Sequence, residues 1–285
     1  MLQSDWHYIS NLMAINNEGA MDQNPRAKYE DGTPAYSRFI TGVFEMYNIA
    51  LGDFPIPTLR NTAVKTGIRE ILWIYQKQTS SLKVARELGV NWWESWNVGD
   101  DSIGTVYGHT VNRYQLMNTL LNGLQHDPFS RRHIINLYQQ EELNDNPGLY
   151  PCAYETLWSI RPGYEKNEYM LDMTLVQRSN DYLVAGYINK IQYVALMMMV
   201  VGHLNHVSKG NRYFTGKFRH LVQNLHVYDR HQDALTEILS REPIQNVDPR
   251  IVLRENKNFY DYTIDDFEVI DNVGQKLLSP LEVAV

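Results

Sequence analysis

The chain carries one cysteine, Cys152, set directly after Pro151. A lone thiol is either a small buried hydrophobe or a working nucleophile. The second reading needs cations close by to favour the thiolate. A separate candidate is Arg178, standing in Gln177–Arg178–Ser179–Asn180–Asp181 after the predicted strand Leu171 to Val176. A strand end with Arg, Ser and backbone donors suits an oxyanion or a phosphate, because a guanidinium fork matches phosphate oxygens bidentately. Arg26, Arg60, Arg131 and Arg132 are further cations. Trp92, Trp93, Trp96 and Tyr107 surround the turn Val98 to Gly108, where aromatic rings stack on a flat heterocycle or fill the core. His203 and His206 lie three apart, with His220, His226 and His231 beyond. Without HExxH or a second cysteine, these read as surface or ligand-contacting histidines, and no metal is expected.

The elements that must position these groups follow from periodicity. Helices are predicted over residues 5–16, 63–76, 112–124, 191–204 and 232–241, and strands over 38–47, 133–138, 154–160, 170–178 and 221–228. The run 191–204 is apolar on most sides and should be a central helix. Helices and strands alternate irregularly, which favours α+β over a doubly wound α/β sheet. No GxGxxG or GxxxxGK[ST] occurs, so neither phosphate cradle is expected.

Composition narrows the class. The chain has 285 residues, 44% hydrophobic and 21% charged, which excludes a disordered or disulfide-stapled protein. A net charge of −7 without basic blocks argues against a general nucleic-acid surface, so an anionic ligand needs locally gathered arginines. No apolar run reaches the roughly 18 residues of a membrane span, and the N-terminus does not read as a signal peptide. The expectation is a cytoplasmic protein without a membrane partner, folded as one domain over residues 1–285.

In order along the chain stand Glu70–Ile71–Leu72–Trp73, Trp93–Glu94–Ser95–Trp96, Val106–Tyr107–Gly108, Asp127–Pro128–Phe129–Ser130–Arg131–Arg132 and Pro151–Cys152. Gln177 to Asp181, Asn189 eight residues later, His226–Val227–Tyr228 and the ending Glu282 to Val285 follow. This series resembles the thymidylate synthase family from about Arg26 to Val285. Pro151 to Thr156 and Phe259 to Phe267 look most like its Bacillus-type and phage branch. The resemblance implies one large mixed β-sheet covered by helices, with a sheet face forming a homodimer interface. It implies a methyltransferase that converts dUMP to dTMP, with 5,10-methylenetetrahydrofolate as co-substrate for the one-carbon unit and the hydride. It leaves room for weak RNA binding only.

The same resemblance distributes roles. Cys152 adds to C6 of the pyrimidine, Glu70 and Asn189 meet the charge developing on O4, and Tyr107 borders the nucleophile. Arg26, Arg178 and Ser179 hold the phosphate, and Arg131 and Arg132 reach it from the other subunit. His226 and Tyr228 bond the deoxyribose hydroxyl. Trp93, Trp96, Asp181 and Val285 surround the folate. Asn189 suits uracil through its carbonyl and its amide. Three positions depart from the family: Ala153 replaces a frequent His, Leu183 to Ile188 replaces Leu-Gly-x-Pro-Phe, and Asn224–Leu225 replaces Gly-Asp. Two alternatives remain at this level: a pyrimidine nucleotide hydroxymethylase of the same fold, which adds water instead of hydride, and a degenerate copy kept as a binding module. Asn189 and the retained tail favour the synthase.

Overall fold

Alternating strands pair into one six-stranded mixed sheet in a computed structural model that describes residues 1–144, 146–278 and 281–285. The order of elements is α1 (Gln3–Glu18), β1 (Ala20–Met21), β2 (Ser37–Asn48), α2 (Val64–Ile71), α3 (Leu82–Glu87), α4 (Gly108–Arg113), α5 (Leu116–His126), β3 (Ile134–Asn136) and α6 (Gln140–Asn144). There follow β4 (Ala153–Pro162), β5 (Glu168–Asp181), α7 (Gly186–Val207), β6 (Arg212–Tyr228), α8 (Gln232–Leu239), β7 (Arg250–Leu253) and β8 (Phe267–Ile270). Across the sheet the strands run β1-β2-β6-β5-β4-β3, with β7 and β8 forming a separate pair. Only β5 and β6 are parallel; the other neighbours are antiparallel. A parallel pair needs a crossover, and α7 provides it. The crossover sets the ends of β5 and β6 side by side, with Ser179 opposite Asn224 and Asp181 opposite His226.

The central helix is apolar on nearly every side because neighbours cover it on nearly every side; from Lys190 to Leu204 all its residues are buried. It begins at Gly186, five residues before the apolar run, and so includes Asn189 and Lys190. Two predicted helices are broken. The segment 63–76 is α-helical only to Ile71 and widens into a π-helical turn, Leu72–Lys77. Hydrophobic spacing reports the buried face and not which carbonyl each N–H selects. The segment 112–124 is interrupted at Gln115, which adopts φ 50° and ψ 38° and starts α5 afresh. Four of the five predicted strands extend beyond their predicted bounds, β6 most of all, whereas β3 is shorter than 133–138. Elements without a predicted counterpart are short: β1, α3, α6 and the β7–β8 pair.

A buried ion pair joins α7 to the sheet. The Lys190 ammonium is fully buried, 2.7 Å from Glu45 Oε2. Glu45 also accepts hydrogen bonds from Tyr47 at 2.6 Å, Tyr182 at 3.0 Å and Asn11 at 2.9 Å. Lys190 lies 3.8 Å from the centre of the Tyr187 ring. Burial alone would raise the Glu45 carboxyl, yet Lys190, His220 and His7 together outweigh it and hold the group at about 2.

The outer sheet face is unlike the inner one. One row across it reads Met46, Arg219, Thr174, Leu157 and Ile134; the next reads Phe44, Leu221, Val176, Glu155 and Asn136. Phe44, Met46, Leu221, Leu157 and Ile134 are exposed, whereas Glu45, Tyr47 and His220, one residue out of phase, are buried.

Lys190→Met should destabilise the protein by about 3–5 kcal/mol, read from the denaturant midpoint, because it strands a buried carboxylate. Adding Glu45→Leu should recover most of that loss. The Glu45 contribution is full above about 4.5, its ordinary value, and is lost as pH falls towards 2. A single variant as stable as the parent would show that the pair carries no such constraint.

Candidate active site

A cavity of about 300 Å³ opens where β5, β6 and the start of α7 meet. Cys152 stands in its wall just before β4, with Arg26, Glu70, Trp92, Trp93, Trp96, Tyr107, Arg178, Ser179, Asp181, Asn189, His226, Tyr228 and the tail from Val283 to Val285. All but two of the predicted site residues are thus brought together from distant parts of the chain.

The thiol is held by its own backbone and by one guanidinium. Cys152 N donates to Tyr107 Oη at 3.0 Å. Arg178 Nε donates to Pro151 O at 3.0 Å and Nη2 to Tyr150 O at 2.7 Å, which leaves Nη2 3.5 Å from Cys152 Sγ. Tyr107 adopts φ 50° and ψ −110°, a costly conformation for a residue with a side chain. It serves to bring the phenol oxygen to the Cys152 amide. The expectation of a depressed thiol pKa is corrected here. Burial pushes the Cys152 thiol up, and Arg178 and Arg26 pull it down only in part.

One wall of the cavity is built of carboxamides. Asn189 Oδ1 accepts from Gln177 Nε2 at 3.0 Å and Asn180 Nδ2 at 3.1 Å. Its Nδ2 donates to Gln192 Oε1 at 2.9 Å. Gln177 Oε1 lies 2.8 Å from His220 Nε2, which must therefore carry the proton. Burial, then the nearby Lys190, lower His220 to about 3, so the ring stays neutral. Beside this wall Glu70 accepts a hydrogen bond from Trp92 Nε1. Burial raises the Glu70 carboxyl, while Trp93, Trp92 and Gln192 oppose that rise.

The ends of the parallel strands supply the rest. His226 Nδ1 meets Asn224 Oδ1 at 3.0 Å, so Nδ1 donates and Nε2 is left as an acceptor. The departure at Asn224 therefore fixes the His226 tautomer. Burial keeps His226 neutral and raises Tyr228, so a hydroxyl between them would meet an acceptor and a donor. Asp181 Oδ1 accepts from Leu183 N and Val184 N, both at 3.1 Å, turning the chain from β5 towards α7. In that altered segment Val184 and Ile188 also line a second cavity of about 170 Å³, with Arg60 and Tyr8. Val285 is tied by its N–H to Lys28 O at 2.9 Å and by its carbonyl to Lys28 N at 2.8 Å.

Some expectations fall elsewhere. Arg131 and Arg132 are exposed between α5 and β3, outside the cavity of their own chain. Trp93 is 9% exposed, wedged against Trp73, Trp96 and Tyr107, so much of its ring is core. His203 takes the Phe259 N–H at 3.2 Å, and no group of three metal-ligating side chains occurs among the described residues. Asn180 and Gln192 have no role assigned from sequence, and Trp92 enters only as one of the aromatic cluster. The spacing of Gln192, three residues after Asn189 on a helix, was the available signal.

A thiol and guanidinium groups sharing a cleft with a wall of amides suit an enzyme acting on an anionic, polar heterocycle. Comparison with known proteins agrees. The family model described as thymidylate synthase matches residues 6–281. A thymidylate synthase of Lactococcus lactis subsp. cremoris is 42% identical over 274 residues, 95% of each chain. One of Streptococcus pneumoniae is 42% identical over 275 residues, again 95% of each. The structure of the thermostable thymidylate synthase A from Bacillus subtilis superposes with a TM-score of 0.86 over 99% of each chain, at 32% identity. The chain belongs to the thymidylate synthase family.

The pH dependence of Cys152 alkylation by iodoacetamide tests the electrostatics directly. Its midpoint should lie above the ordinary thiol value, and Arg178→Ala should move it higher still. A midpoint that falls in the variant would show that the guanidinium does not favour the thiolate.

Proposed function

We propose that residues 1–285 act as a single domain that reductively methylates dUMP to dTMP with 5,10-methylenetetrahydrofolate as co-substrate. The observation that carries this reading is the Cys152–Arg178 contact at 3.5 Å beside Asn189, in a chain of this family. C5 of uracil is a poor nucleophile. Addition of the Cys152 sulfur at C6 places charge on O4 and lets C5 attack the one-carbon unit. C5 then loses its proton as the bond from the new carbon to the folate nitrogen breaks, leaving an exocyclic methylene. A hydride from the folate reduces that carbon to a methyl group while the C6–sulfur bond breaks, releasing dTMP, dihydrofolate and the Cys152 thiolate. Glu70 and the free N–H of Asn189 meet the charge at O4; preorganised donors in an enclosed site act strongly there. Arg26, Ser179 and Arg178 receive the phosphate, the last through Nη1, which has no hydrogen bond among the described residues. His226 Nε2 and Tyr228 bracket the sugar hydroxyl. Trp93, Trp96 and Asp181 border the folate, and the tail ending at Val285 excludes water from it, which strengthens every attraction inside.

The exposed rows containing Phe44, Met46, Leu157 and Leu221 suit a second copy of the chain, since an apolar patch of this kind marks an interface. Arg131 and Arg132, free of their own cavity, would then reach the partner's phosphate site.

Incubation with dUMP and methylenetetrahydrofolate should raise the absorbance of dihydrofolate. Formation of 5-hydroxymethyl-dUMP without it would replace this reading with the hydroxymethylase. Cys152→Ser should lower turnover at least about 10³-fold and abolish the covalent adduct with 5-fluoro-dUMP seen by mass spectrometry. Mixing Arg131→Ala with Cys152→Ser subunits should restore part of the activity neither has alone. No recovery would mean that each chain uses its own arginines.

A further inference from the structure

Gln192 has a polar atom whose purpose the fold does not supply. The residue is 3% exposed, sits one helical turn after Asn189 on α7, and lines the cavity against Gly67 of α2. Its Oε1 is occupied by Asn189 Nδ2. That bond fixes the carboxamide, so Nε2 is directed away from Asn189. This nitrogen is buried and has no hydrogen-bond partner among the described residues. A buried unpaired N–H is costly, and such groups mark places where a ligand state completes the bonding. Glu70, the buried carboxyl already held by Trp92, lines the same cavity three residues after Gly67 on α2.

Asn189 is constrained at the same time. Its Oδ1 has two lone pairs, and Gln177 and Asn180 occupy both. One of its two N–H groups is spent on Gln192. What it keeps for the cavity is a single donor. This differs from the acceptor-and-donor role expected from sequence. A lone donor fits the 4-carbonyl of uracil and opposes the 4-amino group of cytosine.

We propose that Gln192 is a positioning residue whose one carboxamide holds the Asn189 amide by its oxygen and steers the Glu70 carboxyl with its otherwise unpaired nitrogen. The two groups that meet the C4 edge of the base are thereby set together. This rests on the pyrimidine reading above for its substrate, but the place of Gln192 beside Glu70 exists without any substrate. The other titratable groups acting on Glu70 are Tyr107 at the start of α4 and Tyr193 on α7, whose phenols burial holds neutral. Neither competes with Gln192 for control of the carboxyl near neutral pH.

Two variants separate the arms. Gln192→Glu keeps an oxygen for Asn189 and turns an acceptor towards Glu70. It should lower kcat about tenfold, leave KM for dUMP within about threefold, and shift the Glu70-dependent limb of the kcat profile to higher pH. Gln192→Met removes both bonds and should also raise KM for dUMP and narrow its preference over dCMP. The substrate-free readout is the Glu70 carboxyl titration by NMR of ¹³C-labelled protein, assigned with Glu70→Gln. It should move up in both variants even if the protein turned over no dUMP, which separates failure of this inference from failure of the proposed reaction. An unmoved Glu70 titration in folded Gln192→Glu protein would overturn the proposal, as would equal changes in kcat and KM.

Discussion

The site depends on one contact between a sulfur and a guanidinium that neither partner could hold alone. Enclosing Cys152 works against the thiolate, and Arg178 is the nearest charge that works for it. Arg178 is not free to drift, because the carbonyls of Tyr150 and Pro151 hold it from the opposite side. The loop that carries the thiol therefore also orients the cation that activates it. Its amide is anchored in turn by Tyr107, a residue kept in an unfavourable backbone conformation. Water has a large effect in this balance. Solvent in an open cavity screens the guanidinium, and burial holds the thiol above its ordinary value.

A second constraint lies behind the amide wall. Lys190 and Glu45 fasten the first turn of α7 to β2, and Asn189 precedes Lys190 directly. Burial and then the positive charge near His220 keep that ring neutral, and the neutral ring sets the orientation of Gln177. Gln177 in turn occupies the oxygen of Asn189. A buried pair of charges is weak evidence for stability as such. Here its effect is to fix the orientation of a chain of amides that could otherwise flip.

Much of this was legible in the sequence, and the rest was hidden for physical reasons. The reactive groups announce themselves by type: one thiol, arginines at a strand end, an asparagine at a helix start. Their order along the chain identified the family. The strands of the sheet and the central helix followed from periodicity, because burial selects the same face repeatedly. The sign of the thiol shift did not follow, since it depends on how deeply the loop is enclosed. The Lys190–Glu45 pair was invisible because its members are 145 residues apart and a lysine near a helix start reads as surface. Gln192 looked like an ordinary polar residue on an apolar helix. The π-helical turn after Glu70 left no trace because it buries the same residues that an α-helix would.

The parallel pairing of β5 with β6 has a consequence for how the molecule is made. The antiparallel strands can zip up from nearby turns, but this pair must wait until the whole of α7 has folded back between them. The ends of that pair are where the thiol's guanidinium, the amide wall and the His226 ring converge. A refolding chain would therefore regain secondary structure and compactness well before it regained a working centre. Catalytic competence would trail the spectroscopic signals of folding, limited by the slowest closure in the topology.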